Sequence, residues 1–172
     1  MIVLVAAASK YGATSEIADR IGAALAEHGV DAEVRGLEEV VDLGRYDAFV
    51  LGSAVYLGKW RKTARTFVDG HAGELAQRPT WLFSSGPTVD PPRAADPLDS
   101  AQGEALAATI NAREHRLFAG KLDKSKLNLA EKAAIRVARA SDGDHRDWPA
   151  IDEWAAAIAL DLQHDRVARS SA

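Results

Sequence analysis

Hydroxyl side chains and a glycine cluster directly after the first apolar run of the chain. Ser9, Gly12, Thr14 and Ser15 follow the run 2–8, and the apolar residues after them recur at helical spacing. A strand that leads straight into a helix leaves several backbone N–H groups pointing at one spot, with the positive end of the helix dipole behind them. The stretch therefore predicts an anion site, and a phosphate suits it.

The same loop has other possible roles besides an anion site. The turn could be a capped helix start that binds nothing, with Thr14 or Ser15 as the N-cap. It lacks the Gly-Lys-Ser/Thr ending of a P-loop and the spaced glycines of the dinucleotide fingerprint, which disfavours nucleoside triphosphates and dinucleotides.

The five histidines are scattered without metal-ligand spacing, so we expect lone surface histidines and no metal site. Gly-x-Ser-x-Gly is absent, which argues against hydrolysis.

Length and composition indicate one ordinary globular domain. The chain has 172 residues, of which 47% are hydrophobic and 27% charged, and we expect a single domain over 1–164 with a frayed tail over 165–172. The net charge of -4, without long blocks of one sign, predicts no nucleic-acid partner. No cysteine, signal-like start or membrane-length apolar run occurs, so we expect a cytoplasmic protein.

Strand and helix patterns alternate along the chain. Strands are predicted at 2–8, 31–37, 48–54, 80–84 and 115–119, and helices at 61–72, 102–112, 123–140 and from Trp148 onwards, besides the one that ends at Gly29. This alternation predicts a parallel sheet with helices on both faces. In such sheets ligands bind beyond the carboxyl ends of the strands, where three loops here have unusual sequences.

The three loops together resemble a known family. The pattern Ser9-x-Tyr-Gly-x-Thr14 after a first strand resembles the phosphate-binding loop of the flavodoxin family, which holds the monophosphate of FMN. The second loop, Gly52-Ser-Ala-Val-Tyr-Leu-Gly-Lys-Trp60, looks like the loop against the flavin ring in the menaquinone-dependent protoporphyrinogen dehydrogenase branch. The third, Ser84-Ser-Gly-Pro87, occupies the place of the family's other flavin-contacting loop.

The resemblance implies a fold, a cofactor and a set of site residues. The fold is an α/β flavodoxin-like three-layer sandwich, with a five-stranded parallel sheet in the order 2-1-3-4-5, and the cofactor is FMN. The implied cofactor-binding residues are Ser9, Lys10, Tyr11, Gly12, Ala13, Thr14, Ser15, Ser53, Ala54, Val55, Tyr56, Leu57, Gly58, Trp60, Ser84, Ser85, Gly86 and Pro87. Tyr56 and Trp60 are the stacking candidates, although both could instead pack on their own helix. The flavin carries the chemistry, so no catalytic side chain is assigned.

Charge beside the second loop bears on the kind of redox chemistry. The family's small electron carriers are similar to one another in being strongly acidic around the flavin, whereas this chain has Lys59, Arg61, Lys62 and Arg65. Positive charge should stabilise anionic reduced flavin, although exposed groups are screened. We therefore expect a two-electron oxidoreductase acting on a small planar, quinone-like or porphyrinogen-like substrate. The alternative is an electron carrier or flavin-binding module that acts on a redox protein partner.

The predicted helix 123–140 departs from the dehydrogenase branch, whose added helix is rich in aromatic and large apolar residues. It has a basic face opposite small apolar residues, which could dock weakly on anionic lipid but offers little apolar surface. We therefore favour a helix that packs beside the pocket over one that binds a membrane. The oligomeric state is left open.

Overall fold

A computed structural model of the chain describes residues 1–56, 58–86, 97–129, 132 and 142–170. Its five parallel strands are β1 (Ile2–Ala8), β2 (Asp31–Gly36), β3 (Ala48–Tyr56), β4 (Thr80–Gly86) and β5 (Glu114–Ala119). They form one sheet in the order β2-β1-β3-β4-β5, which confirms the predicted order. A two-residue strand, Lys59–Trp60, pairs antiparallel with the end of β3 and adds a sixth strand. A separate small sheet joins Lys121–Leu122 to Gly143–Asp144.

Helices cover both faces of the sheet. Their bounds are α1 (Ala13–Glu27), α2 (Lys62–Gly70), α3 (Pro97–Thr109) and α4 (Trp148–Ser170), with a short helix, Ala72–Leu75, after α2. Val3 and Val5 of β1 belong to the core under α1 and α4, whereas Leu4 and Ala6 belong to the core under α2 and α3. Burial on both faces explains the uninterrupted apolar sequence of β1. The predicted three-layer α/β sandwich is confirmed.

The register of the strands brings the three loops of the sequence prediction to one edge of the sheet. Ala8 lies opposite Ser53, and Ser53 lies opposite Ser84. Glycine at position 52 is required by packing, because a Cβ atom there would lie 2.1 Å from the ring of Phe83. The loops after β1, β3 and β4 therefore start side by side, where a parallel sheet usually binds its ligand.

Several elements differ from the sequence prediction. The predicted helix 61–72 is two helices, with His71 between them. Helix α3 begins at Pro97 rather than at residue 102. Helix α4 extends to Ser170, through most of the segment predicted to fray, and Arg113 binds Asp165 on it at 2.6 Å. The predicted helix 123–140 starts instead with the 3-10 turn Lys124–Lys126, and most of its remainder lies outside the described residues.

Candidate functional site

The first loop has the geometry of an anion site. Gly12 caps α1 with a φ of 90°, and its N–H donates to Ser9 Oγ at 3.1 Å. Because Gly12 has no side chain, no side-chain hydrogen bond caps the N–H groups of the first turn. The N-cap expected at Thr14 or Ser15 is wrong, since both residues lie inside α1. The residues present fit a phosphate, because uncapped amides and the helix dipole act in the same direction.

Lys10 and Tyr11 form the outer part of the same loop. Lys10 is exposed, and its Nζ lies 5.2 Å from the centre of the Tyr11 ring. Tyr11 is only partly exposed. The aromatic ring and the ammonium group therefore lie together, next to the helix start that would receive the anion.

The second loop is a hairpin closed at its base by Ser53. The buried Ser53 hydroxyl donates to the carbonyl of Ala54 at 2.9 Å and accepts the N–H of Arg61 at 2.9 Å. The antiparallel pairs of the hairpin are Val55 with Trp60 and Tyr56 with Lys59. Gly58 at the tip has a φ of 71°, which favours glycine. The Ser53 hydroxyl thus stabilises the base of the hairpin, because both of its hydrogen bonds are to backbone groups of the protein.

The two aromatic candidates of this loop lie in opposite environments. Tyr56 is 40% exposed at the end of β3, whereas Trp60 is 2% exposed in the core under α2 and α3. The indole N–H of Trp60 donates to Ser84 Oγ at 2.7 Å, and its backbone N–H donates to Gln102 Oε1 at 2.6 Å. The stacking role expected of Trp60 is therefore corrected to packing, because a buried ring presents no face to a ligand. Tyr56 is the aromatic candidate that the hairpin exposes.

The third loop is joined to the interior by Ser84. Its hydroxyl lies 2.8 Å from Nε2 of His115, and since it accepts from Trp60 it is placed to donate to that nitrogen. Burial lowers the pKa of His115, which favours the neutral ring that can accept this bond. His115 is therefore not the lone surface histidine that the sequence suggested. Ser85 is also buried, and Gly86 ends β4.

Two candidates of the sequence prediction, Leu57 and Pro87, lie outside the described residues.

Basic side chains lie on the hairpin and just after it, as the sequence suggested. Lys59 and Lys62 are exposed, and Arg61 and Arg65 are partly buried. Within the described part of the chain, the Nε atoms of both arginines are buried and have no hydrogen-bond partner. The hairpin end of the site is therefore positively charged.

Sequence reasoning missed one residue beside the first loop, Arg146. Its Nη1 donates to Glu16 in the first turn of α1, from 130 residues further along the chain. No motif spacing could reveal the contact, because it depends on how the turn before α4 packs against α1.

Taken together, the sheet order, the three adjacent loops and the uncapped start of α1 define a flavodoxin-like protein. The family model described as "Flavodoxin domain" matches residues 4–148, and the chain belongs to this family. Flavodoxins bind FMN, so the expected cofactor is confirmed at the level of the family.

Particular relatives agree with this assignment. The chain is 23% identical to the Escherichia coli K12 protein "Protoporphyrinogen IX dehydrogenase [quinone]", with 92% of this chain and 95% of that protein covered. A flavodoxin from the domain Archaea superposes with a TM-score of 0.67 at 17% identity, covering 95% of this chain and all of that one (100%). The two-electron reduced flavodoxin of Megasphaera elsdenii gives 0.63 at 18% identity, covering 93% and 99%. The resemblance to the protoporphyrinogen dehydrogenase branch, which the sequence predicts, is thus confirmed.

Among the described residues, no helix combines the length and the apolar character that a membrane span requires.

Proposed function

We propose that this chain is an FMN-dependent oxidoreductase that passes two electrons between a small planar, quinone-like or porphyrinogen-like substrate and an acceptor. The observation that carries the proposal is the positive charge around the hairpin after β3. Lys59, paired with Tyr56, and Lys62 are exposed there, and Arg61 and Arg65 are partly buried. Positive charge near a flavin favours its anionic reduced form, within the limits that solvent screening sets.

The chain's own residues would bind and orient the cofactor. FMN supplies the redox chemistry when it is bound. The first-turn amides of Ala13, Thr14 and Ser15 would bind the phosphate. Gly12, with its positive φ, has no side chain that would cap these amides. Tyr56 would cover a face of the ring, and the backbone of 54–60 would bind its polar edge. Ser85 and Gly86 would flank the other side, and no side chain is required as an acid or base.

Two observations support the substrate class: the positive charge of the hairpin and the similarity to the Escherichia coli relative. Lys59 and Lys62 would attract an anionic substrate, such as one that bears carboxylates on a planar ring system. The name of the Escherichia coli relative gives both a porphyrinogen and a quinone. At 23% identity this likeness supports the class of substrate rather than a particular one.

An electron carrier with a protein partner is the second candidate. The chain shares its fold with flavodoxins such as that of Megasphaera elsdenii, which covers 93% of it. The basic hairpin would then be a docking surface for an acidic partner.

A reductive titration separates the two candidates. The protein loaded with FMN is titrated anaerobically with dithionite while its visible spectrum is recorded. The oxidoreductase predicts a single two-electron step, whereas two well-separated one-electron steps would favour the carrier. Mixing the oxidised protein with protoporphyrinogen IX should then bleach the flavin absorbance, and menadione should restore it. No bleaching by this substrate would reject the porphyrinogen-like class.

A further inference from the structure

A buried cation lies against the start of α1. The side chain of Arg146 is 2% exposed, and its Nη1 donates to Glu16 Oε2 at 2.7 Å and to the carbonyl of Ala13 at 3.2 Å. On its other edge, Nε donates to Asp144 Oδ1 at 2.8 Å. The guanidinium carbon lies 4.4 Å from the centre of the Trp148 ring. Arg146 therefore connects the turn before α4 to the first turn of α1.

Glu16 is an acidic residue beside the anion site. It belongs to the first turn of α1, and its Oε1 lies 3.9 Å from the position that a Cβ atom on Gly12 would take. A carboxylate in this place repels a phosphate unless its charge is balanced. Arg146 holds the other carboxylate oxygen and so offsets part of that charge, since the same guanidinium also pairs with Asp144. Without Arg146, Glu16 and Asp144 would lose the guanidinium that both carboxylates bind.

We propose that Arg146 is a positioning residue that makes the start of α1 selective for a flavin with a phosphate group. It acts through Glu16, whose negative charge it offsets, and through Ala13, whose carbonyl it holds at the first helical turn. The guanidinium suits this task, because its planar fork binds two carboxylates and a carbonyl at once. The inference rests on the proposed FMN site and adds to it the side chain that controls charge beside the phosphate.

The test compares FMN with riboflavin, which lacks the phosphate. Dissociation constants for both are measured by quenching of flavin fluorescence in the wild type, Arg146→Met, Glu16→Gln and the double variant. The matched control is Arg20→Met, which removes an arginine of α1 that binds Asp152 of α4 at 2.5 and 2.6 Å. Far-UV circular dichroism confirms that each variant is folded.

Arg146→Met should weaken FMN binding about 5- to 20-fold, and riboflavin binding less than about twofold, because only the phosphate meets the unbalanced charge. Adding Glu16→Gln should restore most of the lost FMN affinity, and Arg20→Met should leave the ratio of the two constants unchanged. Equal loss for both ligands, or no rescue by Glu16→Gln, would overturn the inference.

Three further outcomes would change how the result is interpreted. If Arg146→Met does not fold, Glu16→Gln alone carries the test: it should bind FMN at least as tightly as the wild type, and weaker binding would overturn the inference. If the wild type itself binds riboflavin as tightly as FMN, the phosphate role of α1 is wrong and the inference falls with it. If the wild type binds neither, the proposed function fails.

Discussion

Replacing Gly12 with alanine perturbs the start of α1 without adding a steric clash. Gly12 has a φ of 90° and a ψ of -23°, and a Cβ atom there would meet nothing closer than Glu16 Oε1 at 3.9 Å. The cost is therefore backbone strain, about 1–2 kcal/mol. In a chain of this length we expect the melting temperature to fall by roughly 2–8 °C.

A matched substitution at the other end of α1 separates strain from site geometry. Gly29 has a φ of 74°, and nothing lies within 4 Å of a Cβ atom placed on it. Gly29→Ala should therefore cost a similar amount of stability. Only Gly12→Ala should also weaken FMN binding, by about tenfold, because relief of its strain moves the amides that would bind the phosphate.

The assay combines thermal unfolding of the protein without cofactor and FMN titration by fluorescence quenching. Equal FMN affinity in the two variants, at equal loss of stability, would refute the placement of the phosphate at the start of α1. A loss of affinity in Gly29→Ala as large as that in Gly12→Ala would refute it as well, because strain alone would then account for both.

Three further predictions test other parts of the site. Tyr56→Leu should weaken FMN and riboflavin alike, by roughly 3- to 10-fold in fluorescence titrations, since it removes an aromatic contact with the ring; a change for FMN alone would contradict this. Lys59→Glu combined with Lys62→Glu should lower the reduction potential of the bound flavin, and high salt should reduce the difference; an unchanged potential at low salt would remove the argument for two-electron chemistry. Burial lowers the pKa of His115 in the folded protein, so the unfolded chain binds more protons between that pKa and about 6.5. The stability due to this residue is therefore present above about pH 6.5. It is lost as pH falls through the folded-state pKa. His115→Gln should flatten this part of the denaturation profile, and a profile identical to that of the wild type would show that the ring does not titrate as described.

The sheet and the position of the site follow from local sequence signals. Uninterrupted apolar runs such as residues 2–8 predict strands buried on both faces, and their alternation with helices predicts the parallel sheet. The strand order came from resemblance of the loops rather than from periodicity. The sequence places Gly12 in the first loop but favours Thr14 or Ser15 as the N-cap, because hydroxyl side chains cap helices well. Glycine takes the cap position because the backbone there has a positive φ.

Features that depend on long-range packing could not be predicted. Trp60 follows an exposed hairpin in sequence, yet its indole reaches Ser84 and is buried. His115 has no partner nearby in sequence, and it contacts Ser84 only because β4 and β5 pair. Arg146 reaches Glu16 because α4 packs against α1. Each contact joins residues on different elements, whose spacing in sequence carries no signal.

The visible absorbance spectrum of the purified protein, before and after addition of FMN, tests the central claim most directly. An FMN-dependent oxidoreductase predicts flavin absorbance bands in the protein as purified, or their retention on the protein after FMN is added and excess is removed. A protein that is colourless as purified and retains no flavin absorbance after this treatment would contradict the account.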